Sequence, residues 1–183
     1  MERLFEELGA EHRLIAAVLG SMERYLDAVE RGEGHDRLDL FRFIVFLSDY
    51  ADDIHHEKEE RVLMKGMAKH GFSLLSGPLA HVKEQHERER GLFAALHRIA
   101  VDGGDLAEAV PAARELVAFE RAHMAKENEL LYPAARRELG QDDPAPLLAA
   151  LDRFNAARDR DGHAAWLVRL AEDLTGRYPV VQT

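Results

Sequence analysis

The sequence predicts an all-α fold, an antiparallel up-and-down four-helix bundle with additional C-terminal helices. Apolar residues recur every three or four positions through most of the chain, as they do along the buried face of a helix. The alternating runs of Val, Ile and Thr that mark strands are nearly absent. Breaks rich in glycine and proline divide the helical pattern into four long segments. Short connections between long helices favour antiparallel neighbours, so we expect a bundle.

The first three helices are bounded by glycines and by residues typical of helix starts. The first is predicted over about residues 4–31, where the Gly-Glu-Gly run of residues 32–34 ends it. The second is predicted over about 36–70, with Gly71 as its stop. The third is predicted from about residue 76 to the Asp-Gly-Gly break that begins at Asp102.

The fourth long helix, predicted over about residues 105–139, contains two prolines. Pro111 suits a first turn, so the helix begins either at Asp105 or at Pro111. Pro133 lacks an amide hydrogen and crowds the preceding turn, so we expect it to end or kink the helix just beyond Tyr132.

The remainder of the chain is predicted to form two shorter helices, over about residues 144–158 and 162–177. It contains no motif that indicates chemistry. We assign residues 1–140 to the bundle and 141–183 to a helical extension packed on the same domain. This extension is expected to be either a cap or the surface of a homo-oligomer.

Composition excludes several classes of protein. The 183 residues are 46% hydrophobic and 32% charged, a balance typical of one soluble globular domain. The absence of cysteine excludes disulfides, iron–sulfur clusters and thiol catalysis, so any metal must have nitrogen and oxygen ligands. The net charge of −10 argues against nucleic acid. There is neither an apolar run of the roughly 20 residues that span a bilayer nor a secretory pattern at the N-terminus, so we expect a cytoplasmic protein without membrane association.

Each long helix has a histidine on its predicted apolar face, and two helices add a glutamate one turn later. Side chains four residues apart on a helix lie on the same face. The predicted face of the second helix also includes Phe41, Val45, Ser48 and Asp52, and that of the fourth includes Leu116 and Phe119. The candidate metal ligands are His12, His55, Glu59, His86, His123 and Glu127.

These six side chains are predicted to lie at one height in the bundle. His12 and His55 are each about 20 residues from the first break, or about 30 Å along the helix axis. The candidate ligands on the two sides of each of the other two breaks are likewise at similar distances from that break. A buried carboxylate needs a cationic partner. Six such ligands suit two metal ions, bridged by Glu59 and Glu127, with coordination positions left open for a small molecule. Iron fits these ligands best, with manganese or zinc as alternatives.

Three other residues leave alternatives open. His56 and Glu60 repeat the four-residue step with a rotation of about 100°, so a slight turn of the helix would put them in place of His55 and Glu59. Arg90 either hydrogen-bonds a ligand carboxylate or is a plain surface arginine.

Four segments in order resemble the hemerythrin-like family, which is described by its His-His-Glu cation-binding motif. The resemblance covers about residues 4–136 and rests on Glu11-His12-Arg13, His55-His56-Glu57-Lys58-Glu59-Glu60, Glu84-Gln85-His86-Glu87, and His123-Met124-Ala125-Lys126-Glu127-Asn128 running into Leu131-Tyr132-Pro133.

The resemblance implies a non-haem di-iron centre, with an oxo or hydroxo bridge, that binds a small diatomic molecule or peroxide. It implies that His12 and His55 serve one iron, that His86 and His123 serve the other, and that the two glutamates bridge them. It also favours His55 over His56 as the ligand.

Two differences place the chain closer to the four-His, two-Glu branch of that family than to oxygen-carrying hemerythrins. Those hemerythrins have a second histidine where this chain has Arg90, and an Asp at a five-residue step where this chain has Glu127 at four. The branch includes proteins implicated in iron–sulfur cluster repair after nitrosative stress. Those proteins often carry a cysteine-bearing segment, which this chain lacks.

Three functions remain as hypotheses, and the sequence does not decide whether the protein is an enzyme. The first is binding or sensing of dioxygen or a related small oxidant. The second is reduction or disproportionation of peroxide or nitric oxide, ranked lower because no inward-facing tyrosine or further glutamate stands out as a proton donor. The third is a regulatory bundle that metal stabilises, without catalysis.

Overall fold

A computed structural model describes residues 1–33, 36–103 and 105–180, and every regular element within these ranges is a helix. Gly34 and Gly104, which fall in two of the predicted breaks, lie outside the described residues. The all-α class and the helical bundle are confirmed. The helices are α1 (Glu2–Glu30), α2 (37–68), α3 (Gly77–Val101), α4 (106–139), α5 (Ala145–Arg158) and α6 (His163–Arg177). None of the described helices contains a stretch long and apolar enough to cross a membrane.

Helix α2 contains two stretches of π-helix, and these change which residues face the core. It is α-helical over Arg37–Phe46, π-helical over Leu47–His56 and Glu59–Leu63, and α-helical again over Met64–Ala68. A π-turn closes its hydrogen bond one residue later than an α-turn.

The predicted core face of α2 is therefore wrong in its first half. A regular helix extended backwards from His55 puts Phe41, Val45, Ser48 and Asp52 inside, but these four are only partly buried. The wider turns shift the register, and the buried side chains are Leu40, Phe43, Ile44, Phe46, Leu47 and Ala51.

Helix α4 begins before one proline and continues through the other. It starts at Leu106, where the carboxylate of Asp105 accepts a hydrogen bond of 3.0 Å from the amide of Ala107, so Pro111 lies inside the helix. Of the two outcomes predicted at Pro133, the helix does not end there, because a π-helical segment, Glu127–Leu131, precedes Tyr132–Leu139 without a break, and α4 extends to Leu139 as predicted. The wider turn relieves the crowding that the proline ring would cause in a regular helix.

The hydrophobic core consists of two clusters of buried side chains at opposite ends of the bundle. The first is contributed by α1–α4 together with α6 and includes Leu19, Tyr25, Phe43, Phe46, Leu116 and Leu174. The second is contributed by α1–α4 together with α5 and includes Leu4, Leu8, Leu63, Met67, Leu139 and Leu151. Full burial of each such side chain contributes about 1.5–3 kcal/mol, so the C-terminal helices stabilise both ends of the bundle. The division of the chain at residue 140 stays a prediction.

A buried carboxylate joins α2 to the C-terminal part of the chain. Asp39 accepts hydrogen bonds from the hydroxyl of Tyr178 and from Arg42, both at 2.7 Å, with Arg177 at 3.4 Å. Burial alone would raise the pKa of Asp39, but the hydrogen bonds from Tyr178 and Arg42 outweigh it and hold the pKa below its ordinary value of 3.8. Its ionised form therefore stabilises the fold above pH 3.8, and this stabilisation is lost as the pH falls through the folded-state pKa.

Replacing Asp39 with asparagine is expected to lower the free energy of unfolding at pH 7 by about 1–3 kcal/mol, because hydrogen bonds to a charged group are weakened. The loss should shrink as the pH falls below 3.8, where the wild-type carboxylate is also protonated. Urea unfolding at neutral and acidic pH measures both effects. The exposed Asp102→Asn is the control, and an Asp39 variant with the wild-type pH dependence would contradict this assignment.

Candidate metal centre

The structure brings the six predicted side chains together between the two apolar clusters. They form two groups, one of His12, His55, Glu59 and Glu127, the other of Glu59, His86, His123 and Glu127. In each group one candidate ligand atom per residue lies within 4.8 Å of all the others. Both glutamates belong to both groups, so the geometry suits two cations that share two carboxylates.

Each of the four imidazoles is oriented by a hydrogen bond at Nδ1. The partners are oxygen atoms of carboxylates or side-chain amides, which only accept, so Nδ1 carries the hydrogen in every case. Nε2 is thereby left free to bind a metal, as is usual when Nδ1 is hydrogen-bonded. The four pairs are His12–Asn128 at 3.1 Å, His55–Glu11 at 3.0 Å, His86–Glu60 at 2.9 Å and His123–Gln85 at 3.3 Å.

The atoms that face the centre are buried and largely without partners. Within the described residues, Nε2 of His55, His86 and His123 has no hydrogen-bond partner, and neither has Oε2 of Glu59 or either oxygen of Glu127. Nε2 of His123 lies 3.1 Å from Glu127 Oε1, and Nε2 of His86 lies 3.3 Å from Glu59 Oε2. Buried polar atoms are almost always satisfied in folded proteins. Four imidazole nitrogens and two carboxylates with no thiolate therefore fit iron, manganese or zinc ions.

The protonation states of His55 and Glu127 agree with a ligand role, whereas the surrounding carboxylates outweigh burial and raise the pKa of His86 and of His12, so a cation would have to displace protons from these two rings. Burial lowers the pKa of His55 to about 3, so its ring is neutral, which is the form that binds metal. Burial alone would raise the pKa of Glu127, but His123, His12 and His86 outweigh it and hold the pKa well below the ordinary value. Glu127 is therefore a carboxylate even in this buried layer.

The π-helical segments begin or end at the candidate ligands. His55 and His56 close the first segment of α2, Glu59 opens the second, and Glu127 opens the segment in α4. Because the turns are wider here, consecutive residues can both face the interior, and His55 and His56 are both fully buried. His55 and His56 therefore face the interior at the same time, and one ligand-type atom of His56 also lies within 4.8 Å of those of His86 and His123.

Tyr132 also faces the centre, so the expectation that no tyrosine does so is wrong. Its hydroxyl donates a 2.6 Å hydrogen bond to Glu59 Oε1 and lies 3.1 Å from Nε2 of His12. Burial and the nearby carboxylates of Glu59 and Glu127 raise its pKa well above the ordinary value, so the hydroxyl keeps its proton. Tyr132 follows Glu127 by five residues, a step that returns to the same face only across a π-turn. Regular helical spacing could not reveal it.

Two further charged residues lie behind His55. Glu11, which orients His55, forms a buried ion pair with Lys58. Neither residue was found from the sequence.

Within the described residues, Arg90 has no hydrogen bond or ion pair with Glu59 or Glu127. It binds Asp52 at 2.9 Å and Glu60 at 3.1 Å, and Glu60 in turn accepts the hydrogen bond of His86. Glu60 is therefore not in the position of Glu59, and Arg90 acts on the centre through Glu60.

A neighbouring group of buried side chains was not predicted from the sequence. Glu120, rather than the predicted Phe119, is buried on the inner face of α4, and it lies near His56 and Glu89. Glu89 and Glu120 each stand three residues from a ligand histidine, so the signal was present in their spacing along α3 and α4. Burial and the neighbouring carboxylate of Glu120 raise the pKa of Glu89 strongly.

Comparison with known proteins gives one family. The family model for the hemerythrin HHE cation-binding domain matches residues 3–135, with a second, overlapping match over residues 77–176. Comparison with curated proteins found no match, and comparison with solved structures found none. The assignment to the four-His, two-Glu branch stays a prediction. The first match alone covers well over half of the sequence, and the chain belongs to the hemerythrin HHE cation-binding domain family.

Proposed function

We propose that this protein holds two iron ions at a carboxylate-bridged site and binds or senses dioxygen or a related small oxidant there. The observation that carries the proposal is the set of buried Nε2 and carboxylate atoms that converge without hydrogen-bond partners in the described part of the chain. Iron ions bound there would supply redox chemistry and open coordination positions. Six protein ligands leave such positions free, which supports binding of an external molecule.

The surroundings favour a small ligand. The six side chains are between 0% and 5% exposed and lie between two apolar clusters, which exclude bulky substrates and bulk water. The hydroxyl of Tyr132 holds a proton beside His12 and Glu59. If it gives up its bond to Glu59, this hydroxyl can donate its one hydrogen to a small molecule in this layer, which suits a diatomic or a peroxide.

Electronic absorption tests this function. Iron-loaded, reduced protein is expected to develop a charge-transfer band when oxygen is admitted under controlled conditions. His55→Ala should abolish the band because one iron loses a ligand, whereas His81→Ala, on an exposed residue, should retain it. A spectrum that oxygen leaves unchanged would count decisively against oxygen binding.

A second candidate function is reduction or disproportionation of peroxide or nitric oxide, and Tyr132 favours it because the hydroxyl is placed to transfer a proton. Under this reading, Tyr132→Phe should slow peroxide consumption by about 100-fold, in the range expected for loss of a general acid. The iron content should not change, because the phenol is not required to hold the ions.

Tyr50→Phe is the matched control, since Tyr50 is buried in the first apolar cluster, stacked on Phe46. Equal rates for Tyr132→Phe and wild type would exclude the tyrosine as the proton donor. Iron-loaded protein that neither consumes peroxide nor responds to oxygen, but is stabilised by metal, would instead be a regulatory bundle without catalysis.

A further inference from the structure

A second group of buried ligand-type side chains lies beside the central six. His56 Nε2 is 3.5 Å from Glu89 Oε2 and 3.9 Å from Glu120 Oε1. One candidate ligand atom from each of the three lies within 4.8 Å of the others, and all three side chains are fully buried. They come from α2, α3 and α4, so the packing of three helices, not one helix face, creates the group.

The two carboxylates lack a lysine or arginine to neutralise them. In the part of the chain that the structure describes, no lysine or arginine nitrogen lies within 4.0 Å of either carboxylate, and the basic side chain that does is His56. All four carboxylate oxygens and both nitrogens of His56 lack a hydrogen-bond partner there. Two ionised carboxylates that face each other in a buried site repel each other and lose their hydration, and the raised pKa of Glu89 shows that it keeps a proton against Glu120 when no cation is bound. A bound cation would remove both costs.

We propose that His56, Glu89 and Glu120 bind a third divalent cation, separate from the central pair. One imidazole and two carboxylates are ligands that suit first-row ions such as Fe²⁺, Mn²⁺ and Zn²⁺, whose remaining coordination positions water can fill. The site needs no residue of the central six as a ligand.

The third position adjoins the central pair without sharing its ligands. The ring of His56 stacks on that of His86, with centroids 4.2 Å apart, and meets the ring of His123 edge-on at 5.3 Å. Nδ1 of His86 and of His123 is held by Glu60 and Gln85, which turns Nε2 of both rings towards Glu127. These two imidazoles therefore stand between the proposed third ion and the bridging carboxylates.

A surface cavity lies one side chain away from the proposed site. Nδ1 of His56 is 3.5 Å from Asp52 Oδ1, and the guanidinium of Arg90 holds Asp52 at 2.9 Å. Asp52 and Arg90 both line a cavity of about 490 Å³ at the surface. Asp52 thus approaches His56 from its far nitrogen, and the Asp52 carboxylate and the His56 ring lie between the cavity and the proposed site.

Metal content of the full chain tests the proposal. Protein loaded with excess Zn²⁺ and then desalted is expected to retain three zinc ions per chain. The double variant Glu89→Gln/Glu120→Gln keeps the side-chain volumes but removes both negative charges, and it should retain two. The control Glu87→Gln/Glu115→Gln changes exposed residues of the same two helices and should retain three.

Two zinc ions per wild-type chain would overturn the proposal, as would three in a folded Glu89→Gln/Glu120→Gln variant, with folding checked by circular dichroism. If that variant does not fold, the proposal is tested instead by anomalous scattering from crystals of the zinc-loaded wild-type protein. A peak bounded by His56, Glu89 and Glu120 is expected, and its absence would overturn the proposal. Oxygen binding is judged by absorption of the iron protein, so the two proposals can fail independently.

Discussion

Replacing Glu59 and Glu127 together by glutamine is expected to lower the metal content of the chain by two ions. Each glutamate belongs to both central ligand groups, so both cations lose their shared anionic ligands at once. The carboxamides keep the shape of the side chains but carry no charge and bind hard cations weakly. Metal analysis after desalting, on protein loaded with iron in the absence of oxygen, measures the loss.

The control for this experiment is Glu84→Gln/Glu129→Gln, which changes exposed glutamates on α3 and α4. It should bind as much metal as the wild type. Unchanged metal content in a folded Glu59→Gln/Glu127→Gln variant would contradict the central site. A single remaining ion in that variant would agree with the separate third position.

Removal of metal is expected to lower the melting temperature by about 8–16 °C for each ion that is lost. Binding to the folded state contributes about 4 kcal/mol when free metal is a thousand times the dissociation constant, and 1 kcal/mol shifts the melting temperature by about 2–4 °C in a chain of this size. The physical cause is the buried layer, in which Nε2 of His55, His86 and His123, Oε2 of Glu59 and both oxygens of Glu127 have no hydrogen-bond partner within the described chain. Calorimetry with and without a chelator measures the shift.

The Glu59→Gln/Glu127→Gln variant provides the comparison, because chelation should change its melting temperature much less. Equal melting temperatures for metal-loaded and chelated wild type would mean that these buried groups are satisfied without a cation, and the metal assignment would then be wrong.

Much of the fold and the centre followed from spacing in the sequence. The predicted helix boundaries agree with the structure to within a few residues. They do so because glycine breaks and capping residues such as Asp36 and Asp105 mark helix ends locally in the sequence. The convergence of His12, His55, His86 and His123 followed from their distances to the shared breaks. Those distances depend only on helical rise, which a π-turn changes little over a long helix.

The rest could not be derived, because it depends on the π-turns themselves. A constant period of 3.6 residues treated His56 as a substitute for His55 and gave no inward-facing tyrosine. Glu120 is different, because it lies in the regular α-helical part of α4, three residues before His123, and its spacing could have revealed it. Each extra residue in a turn rotates the side chains that precede the turn relative to those that follow it in the same helix. The hydrogen bonds to Glu11, Glu60 and Gln85 depend on this rotation and on contacts between helices distant in sequence.

The placement of the polar layer has a consequence for cooperativity. The polar layer separates the two apolar clusters. Each half of the bundle is therefore packed against its own C-terminal helix, α6 in the first cluster and α5 in the second. Local opening in proteins follows such units, each with its own free energy. Ions between the halves would couple their opening, so chelation should let amide hydrogens near Leu4 and those near Tyr25 exchange at independent rates.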